Sequence, residues 1–414
     1  MTSLTQAKPA SFLIYYQGFL AISAILIFFT RFDIYLQDLG YGIPLFWMLG
    51  FLVASVPLFF SLVTQFDRLS KPILVWIAGF IALTFTLVVL QPNLPVLQYF
   101  EDQYRTIIFL FLMLTIYAYH PFITRLTKIT IFAVTLLNIG MFIYEFFNPL
   151  AFHLEQRAPG RSSGFYDDSN TAAIAIVIGM ILTIDLIKPK YRILYALVVF
   201  AGVAPTFSRG SIAGWVFAVG IMMLTKLIPR YQMPLLGAFF FVIVLILSTQ
   251  INNLAYLKTA DGEPLFREDT LARVEFLIDP LSQTDDSKAS RLTHIEDAWK
   301  KFIDHPFIGN GLGAGQNAET ESLAGKAQRS HNTYLDFMVE FGFLGALIYP
   351  ALLFACVWQA RGEFRNQGIA FVIFMMTQGF FSHTLVNEFC SLIVYAIVAN
   401  LREQNRHQNL PASL

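Results

Sequence analysis

"RSHNTYLDFMVEFGFLGALIYP", residues 329–350, sets Arg329 and His331 directly ahead of an apolar run that continues to about residue 357. A helix needs roughly 20 apolar residues to cross a bilayer core. The stretch therefore reads as a membrane helix with a cation and an imidazole at its lip. Similar runs recur along almost the whole chain. Of the 414 residues, 56% are hydrophobic and only 14% charged, and mean hydropathy is +0.58. A soluble domain carries about a quarter charged residues. The runs do not alternate in the roughly ten-residue segments of a membrane β-barrel. The fold class this implies is an all-α polytopic membrane protein.

About twelve transmembrane helices are expected, near 12–30, 43–64, 72–90, 105–120, 127–147, 170–187, 192–207, 210–227, 233–250, 332–357, 367–386 and 389–401. The last two could instead form one broken hairpin around His383 and Asn387. Helices 9 and 10 are separated by a large, partly helical loop. The chain thus divides into 1–250 with nine spans, a loop domain at 251–330, and 331–414 with three spans and a short tail. The first run follows Lys8 and is longer than a signal-peptide core, so it reads as a retained anchor.

Short alternate connections carry Arg68 and Lys71, Arg125 and Lys128, Lys188, Lys190 and Arg192, Lys226 and Arg230, and Arg361 and Arg365; Arg402 and Arg406 follow in the tail. The positive-inside rule makes that side, and both termini, cytoplasmic. The loops near 148–169 and 251–330 then face outward. The 28 Lys and Arg balance the 28 Asp and Glu, so nothing points to a nucleic-acid partner. Cys356 and Cys390 both fall in apolar runs, against a disulfide framework or a thiolate metal site.

Candidate chemistry lies on the outward side. Arg161 stands in "PGRSSGFYDDSN" (159–170) and Arg209 in "PTFSRGSIAGW" (205–215), at the break between spans seven and eight. Arg291 begins "SRLTHIEDAWKKFIDHP" (290–306), where Leu292, Ile295, Trp299 and Phe302 fall at helical spacing ahead of Pro306. His331 opens span ten. An arginine at membrane depth costs about 2.5–3.5 kcal/mol unless paired or hydrated. Its planar fork suits phosphate. Each residue also has a plainer reading: Arg209 snorkelling to the interface, Arg161 and Arg329 solvated in loops, Arg291 paired on its own helix, His331 merely flanking an N-cap. The glycine-rich "FIGNGLGAGQN" (307–317) lacks the Lys-Ser/Thr of a phosphate loop and reads as a turn. No HExxH or paired-cysteine motif suggests a metal.

In combination, "SRG" at a span junction, "HPFIGNGLG" (305–313) closing the loop, "HNTYLDFMVEFGFLG" (331–345) opening a span and "GFYDDSNTAA" (164–173) resemble the O-antigen ligase/polymerase superfamily over about 160–355. The first five spans are similar in hydropathy alone. The resemblance implies a C-type membrane glycosyltransferase in the bacterial inner membrane, with a periplasmic active site. Its donor would be an undecaprenyl-diphosphate-linked glycan, and its acceptor, for a ligase, the lipid A–core of lipopolysaccharide. It would need no cofactor and, in the ligase case, no metal. By motif match Arg209 and Arg291 take the place of the family's external arginines and His331 that of its catalytic histidine. Arg161, Arg329 and Asn332 join them as expected substrate contacts. A histidine with a reference pKa near 6.5 suits a general base, and arginines suit a departing diphosphate.

A ligase is favoured by the single large outward loop, the His-Asn opening of span ten and a tail that ends soon after Arg406. A polymerase or a protein O-oligosaccharyltransferase of the same superfamily is the alternative. A transporter of an anionic lipid or glycan would place its cations near span centres rather than at one face.

Overall fold

The computed structural model describes residues 12–63, 66–90, 94–149, 151–152, 160–254, 256, 271, 286–315, 317–321, 327–328 and 330–408. The described residues are helical apart from turns and a short antiparallel pair, Asn317–Glu321 with Ala327–Gln328. The helices are α1 (Phe12–Ala24, continued by a wider turn Ile25–Phe29), α2 (Phe32–Asp38), α3 (Pro44–Ala54), α4 (Val56–Val63), α5 (Lys71–Leu90), α6 (Leu94–Ile116), α7 (Pro121–Phe147), α8 (Ser169–Thr183), α9 (Arg192–Val203), α10 (Arg209–Leu224), α11 (Met233–Leu254), α12 (Asp286–Asp304), α13 (Thr333–Phe341), α14 (Gly345–Val357), α15 (Gly362–Gln378) and α16 (Phe389–Gln408).

Among the described residues, five helical stretches are long and apolar enough to cross a membrane: Phe12–Phe29, Lys71–Leu90, Pro121–Phe147, Ser169–Leu186 and Thr333–Val357. A sixth is counted if α3 and α4, bent by 50° at Ser55, act as one span. Arg209–Leu224, Arg230–Ile243 and Phe389–Ala399 are shorter apolar helices. The expected span at 105–120 starts earlier, at Leu94. Hydropathy missed its first turns because they carry Glu101, Asp102 and Arg105; Asp102 and Arg105 form an ion pair one turn apart.

The bundle is organised around α8, whose residues from Thr171 to Thr183 are all buried. A helix apolar on every side must be surrounded, and α7, α9, α10 and α15 pack around this one. Small residues permit the approach: a Cβ on Gly179 would lie 2.0 Å from the Thr135 hydroxyl of α7. At one end of the bundle, basic residues of the short loops serve as ties. Lys128 Nζ pairs with Asp185 at 2.5 Å, and Arg192 donates to the Ile187 and Leu227 carbonyls. The opposite end carries the residues to which the sequence assigned chemistry.

The amphipathic segment forms α12 as expected and ends at Asp304, two residues before Pro306. Its buried face differs from the expected one. Ala298 and Phe302 pack on Leu335 and Val339 of α13, and His294 is also buried. Of the predicted stripe only Phe302 is covered, while Leu292, Ile295 and Trp299 stay exposed. Two adjoining rows of a helix can both be apolar: one row seats on the protein here, and the other remains on the outside, as on a helix lying at a lipid interface.

Candidate active site

Three backbone turns carry the site, and each is forced into an unusual conformation just before a helix begins. Arg31 (φ 59°) immediately precedes α2, Phe207 (φ 47°) precedes the cap of α10, and His331 (φ 55°) precedes the cap of α13. Left-handed conformations cost a residue with a side chain about 1–3 kcal/mol; Lys226 and Gln359, after α10 and α14, adopt them as well.

The helices that leave these turns are capped by the expected residue types. Ser208 Oγ accepts from Ser211 N at 3.3 Å to start α10. Asn332 Oδ1 accepts from Tyr334 N at 3.0 Å and Leu335 N at 3.1 Å to start α13. Asp168 accepts from Asn170 N at 2.7 Å and Thr171 N at 3.0 Å to start α8. These caps satisfy orphan amides. Asn332, expected as a substrate contact, is also the N-cap of α13.

The turn between α15 and α16, residues 379–388, draws these starts together. Thr333 N donates to the Gly379 and Ser382 carbonyls, at 2.8 and 2.9 Å, and its hydroxyl donates to Ser382 O at 2.5 Å. Gln378 Nε2 donates to Gly210 O at 3.1 Å, and a Cβ on Gly210 would lie 2.9 Å from the Phe381 ring. His383 from the same turn meets His331 edge to face, ring centroids 5.0 Å apart. Arg209, the first residue of α10, and His331 therefore rise beside one and the same turn. A cation at the start of a helix opposes the helix dipole, so Arg209 adds its charge to an already positive N-terminus.

Arg161 is tied to the same region. Its Nε donates to Thr206 O at 2.7 Å and its Nη2 to Asn170 Oδ1 at 3.0 Å, while Ser162 N donates to Pro205 O at 2.9 Å. It braces the turn that presents Arg209. The loop that holds Arg161 hangs on Glu145 of α7, whose Oε2 accepts from Ser163 N at 2.7 Å and Gly164 N at 2.6 Å. Tyr166, fully buried, donates to Phe29 O at 2.8 Å and accepts from Asn138 Nδ2 at 3.0 Å. Burial lifts its hydroxyl well above the ordinary tyrosine range.

The backbone of Arg291 lies in the second turn of α12, on the helix that packs against α13. Arg329 falls outside the described residues.

Sequence reading missed an ion-pair cluster at the edge of this region. Arg31 pairs with Asp33 at 3.3 Å and with Glu388. Asp33 is fully buried, and burial pushes its carboxyl up to about 6 even though Arg31 pulls the other way. His383 and Glu388 had no sequence signal beyond a polar interruption between two apolar runs. Arg31 sits 357 residues from Glu388, a pairing no local pattern announces. Among the described residues no group of three His, Cys, Asp or Glu is disposed to hold a metal ion.

A family model described as O-antigen ligase matches residues 194–349, from α9 into α14. Over that stretch the chain is similar to the O-antigen ligase superfamily. That superfamily comprises glycosyltransferase-like ligases and polymerases whose substrates are lipid-linked glycans and lipid acceptors. The match takes in Arg209, Arg291, Arg329, His331 and Asn332; Arg31, Arg161 and His383 lie outside it. No curated protein matches the chain.

Proposed function

We propose that the protein is an O-antigen ligase, moving a glycan from undecaprenyl diphosphate to the lipid A–core of lipopolysaccharide on the periplasmic face of a bacterial inner membrane. The observation that carries this reading is the meeting of His331, on its left-handed turn, with the turn at 379–388 that also seats the start of α10 and Arg209. In this reading His331 takes the proton of the acceptor hydroxyl as the hydroxyl oxygen attacks the anomeric carbon. The bond from that carbon to the diphosphate oxygen breaks, and the electron pair leaves on the diphosphate. Arg209 and Arg291 neutralise the charge that develops there, and the start of α10 contributes its amide dipoles. Arg161 acts through the turn it braces, and Arg329 and Asn332 flank the base.

The bent pair and the three shorter apolar helices bring the five long stretches to nine; taking α6, α9 and α15 as crossings too makes twelve alternating spans, with the basic loops in the cytoplasm and the 379–388 turn outside. The charges at one end of the bundle support chemistry at a surface over transport through the middle.

Purified protein with lipid-linked glycan alone, and then with lipid A–core added, tests the assignment. Glycan-capped lipopolysaccharide in the second reaction is the result expected. Longer lipid-linked chains in the first would make the protein a polymerase. Movement of lipid across proteoliposomes with no covalent product would replace both.

A further inference from the structure

A cavity of about 300 Å³ opens between the start of α2, α6 and the 379–388 turn, and His383, whose ring meets that of His331, lines it. Neither the sequence motifs nor the family match accounts for it. We infer that this cavity seats one sugar ring of a glycan substrate, a conclusion that rests on the transferase reading above.

Its lining has the chemistry for that. Arg31 and Arg105 contribute two positive charges, Asp102 and Glu388 two negative ones, and the sum is zero. The arginines are also spoken for: Arg31 pairs with Glu388 and with Asp33 just behind it, and Arg105 pairs with Asp102. A phosphate would meet as much repulsion as attraction. A hydroxylated ring would not, because guanidinium N–H groups donate to ring hydroxyls and carboxylates accept from them. Asn387 and Thr106, whose side-chain oxygens lie 3.4 Å apart, offer further donors and acceptors on the same wall.

The remaining wall is apolar. Phe389 lines the cavity and is held rigid by stacking on Phe109, ring centroids 4.1 Å apart, and by an edge contact with Phe28 at 5.6 Å. A fixed aromatic beside a few oriented polar groups is the usual composition of a small-molecule site, and the volume stands at the low end of the ~300–1,000 Å³ range for such sites. It suits a single ring. The location fits as well. A ring seated against His383 would hold its hydroxyls, or the sugar linked to it, within one ring's reach of His331.

Either the donor glycan or the glycan of the acceptor could supply that ring, and one experiment separates the two. Asn387→Cys places a thiol on the cavity wall, while the native Cys356 and Cys390 are both buried. The full chain in detergent is treated with a maleimide alone, with undecaprenyl-diphosphate-linked glycan, with lipid A–core, and with undecaprenyl diphosphate bearing no sugar. Thr384→Cys, on the same wall, serves if the first variant fails to fold. Labelling is expected to slow about tenfold with the sugar-bearing donor or with lipid A–core, and the compound that protects names the source. Bare undecaprenyl diphosphate should leave the rate unchanged. Equal protection by the bare lipid, or none from either glycan, overturns the sugar site. Transfer activity of the unmodified protein is read separately. Protection without transfer would leave the sugar site standing and remove the ligase reading, whereas transfer without protection would do the reverse.

Discussion

Replacing Glu145 with alanine should damage catalysis from a position that touches no substrate. Its carboxylate receives two backbone amides, Ser163 N at 2.7 Å and Gly164 N at 2.6 Å. A hydrogen bond to a charged group nets about 1.5–3 kcal/mol, so the pair contributes about 3–6 kcal/mol. Glu145 is 8% exposed and Ser163 3%, which leaves little room for water to take over, so the low end, about 3 kcal/mol, is a minimum. The damage travels along a short path: the loop carries Arg161, Arg161 holds the Thr206 carbonyl, and that turn aims Arg209. Misplacing a reacting group by about 1 Å can cost 10²-fold in rate. Glu145→Ala should therefore lower kcat/KM for glycan transfer by about ten- to a hundredfold and lower the midpoint of thermal unfolding in detergent. Glu145→Gln keeps a neutral acceptor and should recover more than half of both losses. Initial rates and the unfolding midpoint are measured on the same preparations. A Glu145→Ala protein that melts and transfers like the unmodified one would refute the chain of support from α7 to Arg209.

His331→Ala should reduce transfer about 10²–10⁴-fold while the protein still binds lipid-linked glycan, read by product formation and by donor binding in parallel. Asp33 has its carboxyl raised from an ordinary 3.8 to about 6, so the folded protein holds a proton there that the unfolded chain has released. That contribution is fully present below about pH 4 and is lost as pH rises through about 6, roughly 3 kcal/mol in all. Asp33→Asn should flatten this decline, as followed by unfolding midpoints between pH 4 and 7; an unchanged pH profile would show that another group governs it. At Gly345 an added Cβ would lie 1.9 Å from the Phe337 carbonyl oxygen, a backbone atom that cannot turn aside. Gly345→Ala should cost about 3 kcal/mol or more and show as a collapse in the yield of detergent-stable protein, with normal yield counting against the close crossing.

Much of this was open to reading because it is local. Apolar length marks where long helices lie, and Ser208, Asn332 and Asp168 each stand where a cap residue belongs. Pro306 marks the end of α12. The glycine-rich run after it forms turns, as expected. What escaped depends on partners remote in the chain. Arg31 looks like any charge at the end of an apolar run until Glu388 is brought beside it. His383 gains meaning only from the ring of His331. Glu145 gives no hint that it holds up a loop eighteen residues on. The buried face of α12 was misjudged for a related reason: helical period fixes which residues share a row, but not which of two neighbouring apolar rows meets protein. The early start of α6 was hidden because hydropathy counts Asp102 and Arg105 as charges, not as a pair.

The run from Pro306 to Gly313 has one further consequence. It is stitched to the break between α13 and α14: Asn310 N donates to Val339 O, Gly311 N to Glu340 O, Gly313 N to the Glu340 carboxylate, and Phe343 N returns to Pro306 O. Gly309 is pressed so near the Glu340 carbonyl that a side chain there would sit 2.2 Å from it. α12 and the helix that begins after His331 are thereby joined through this run. With these contacts in place α12 and α13 form one packed unit, and His331 stands where the chain enters it.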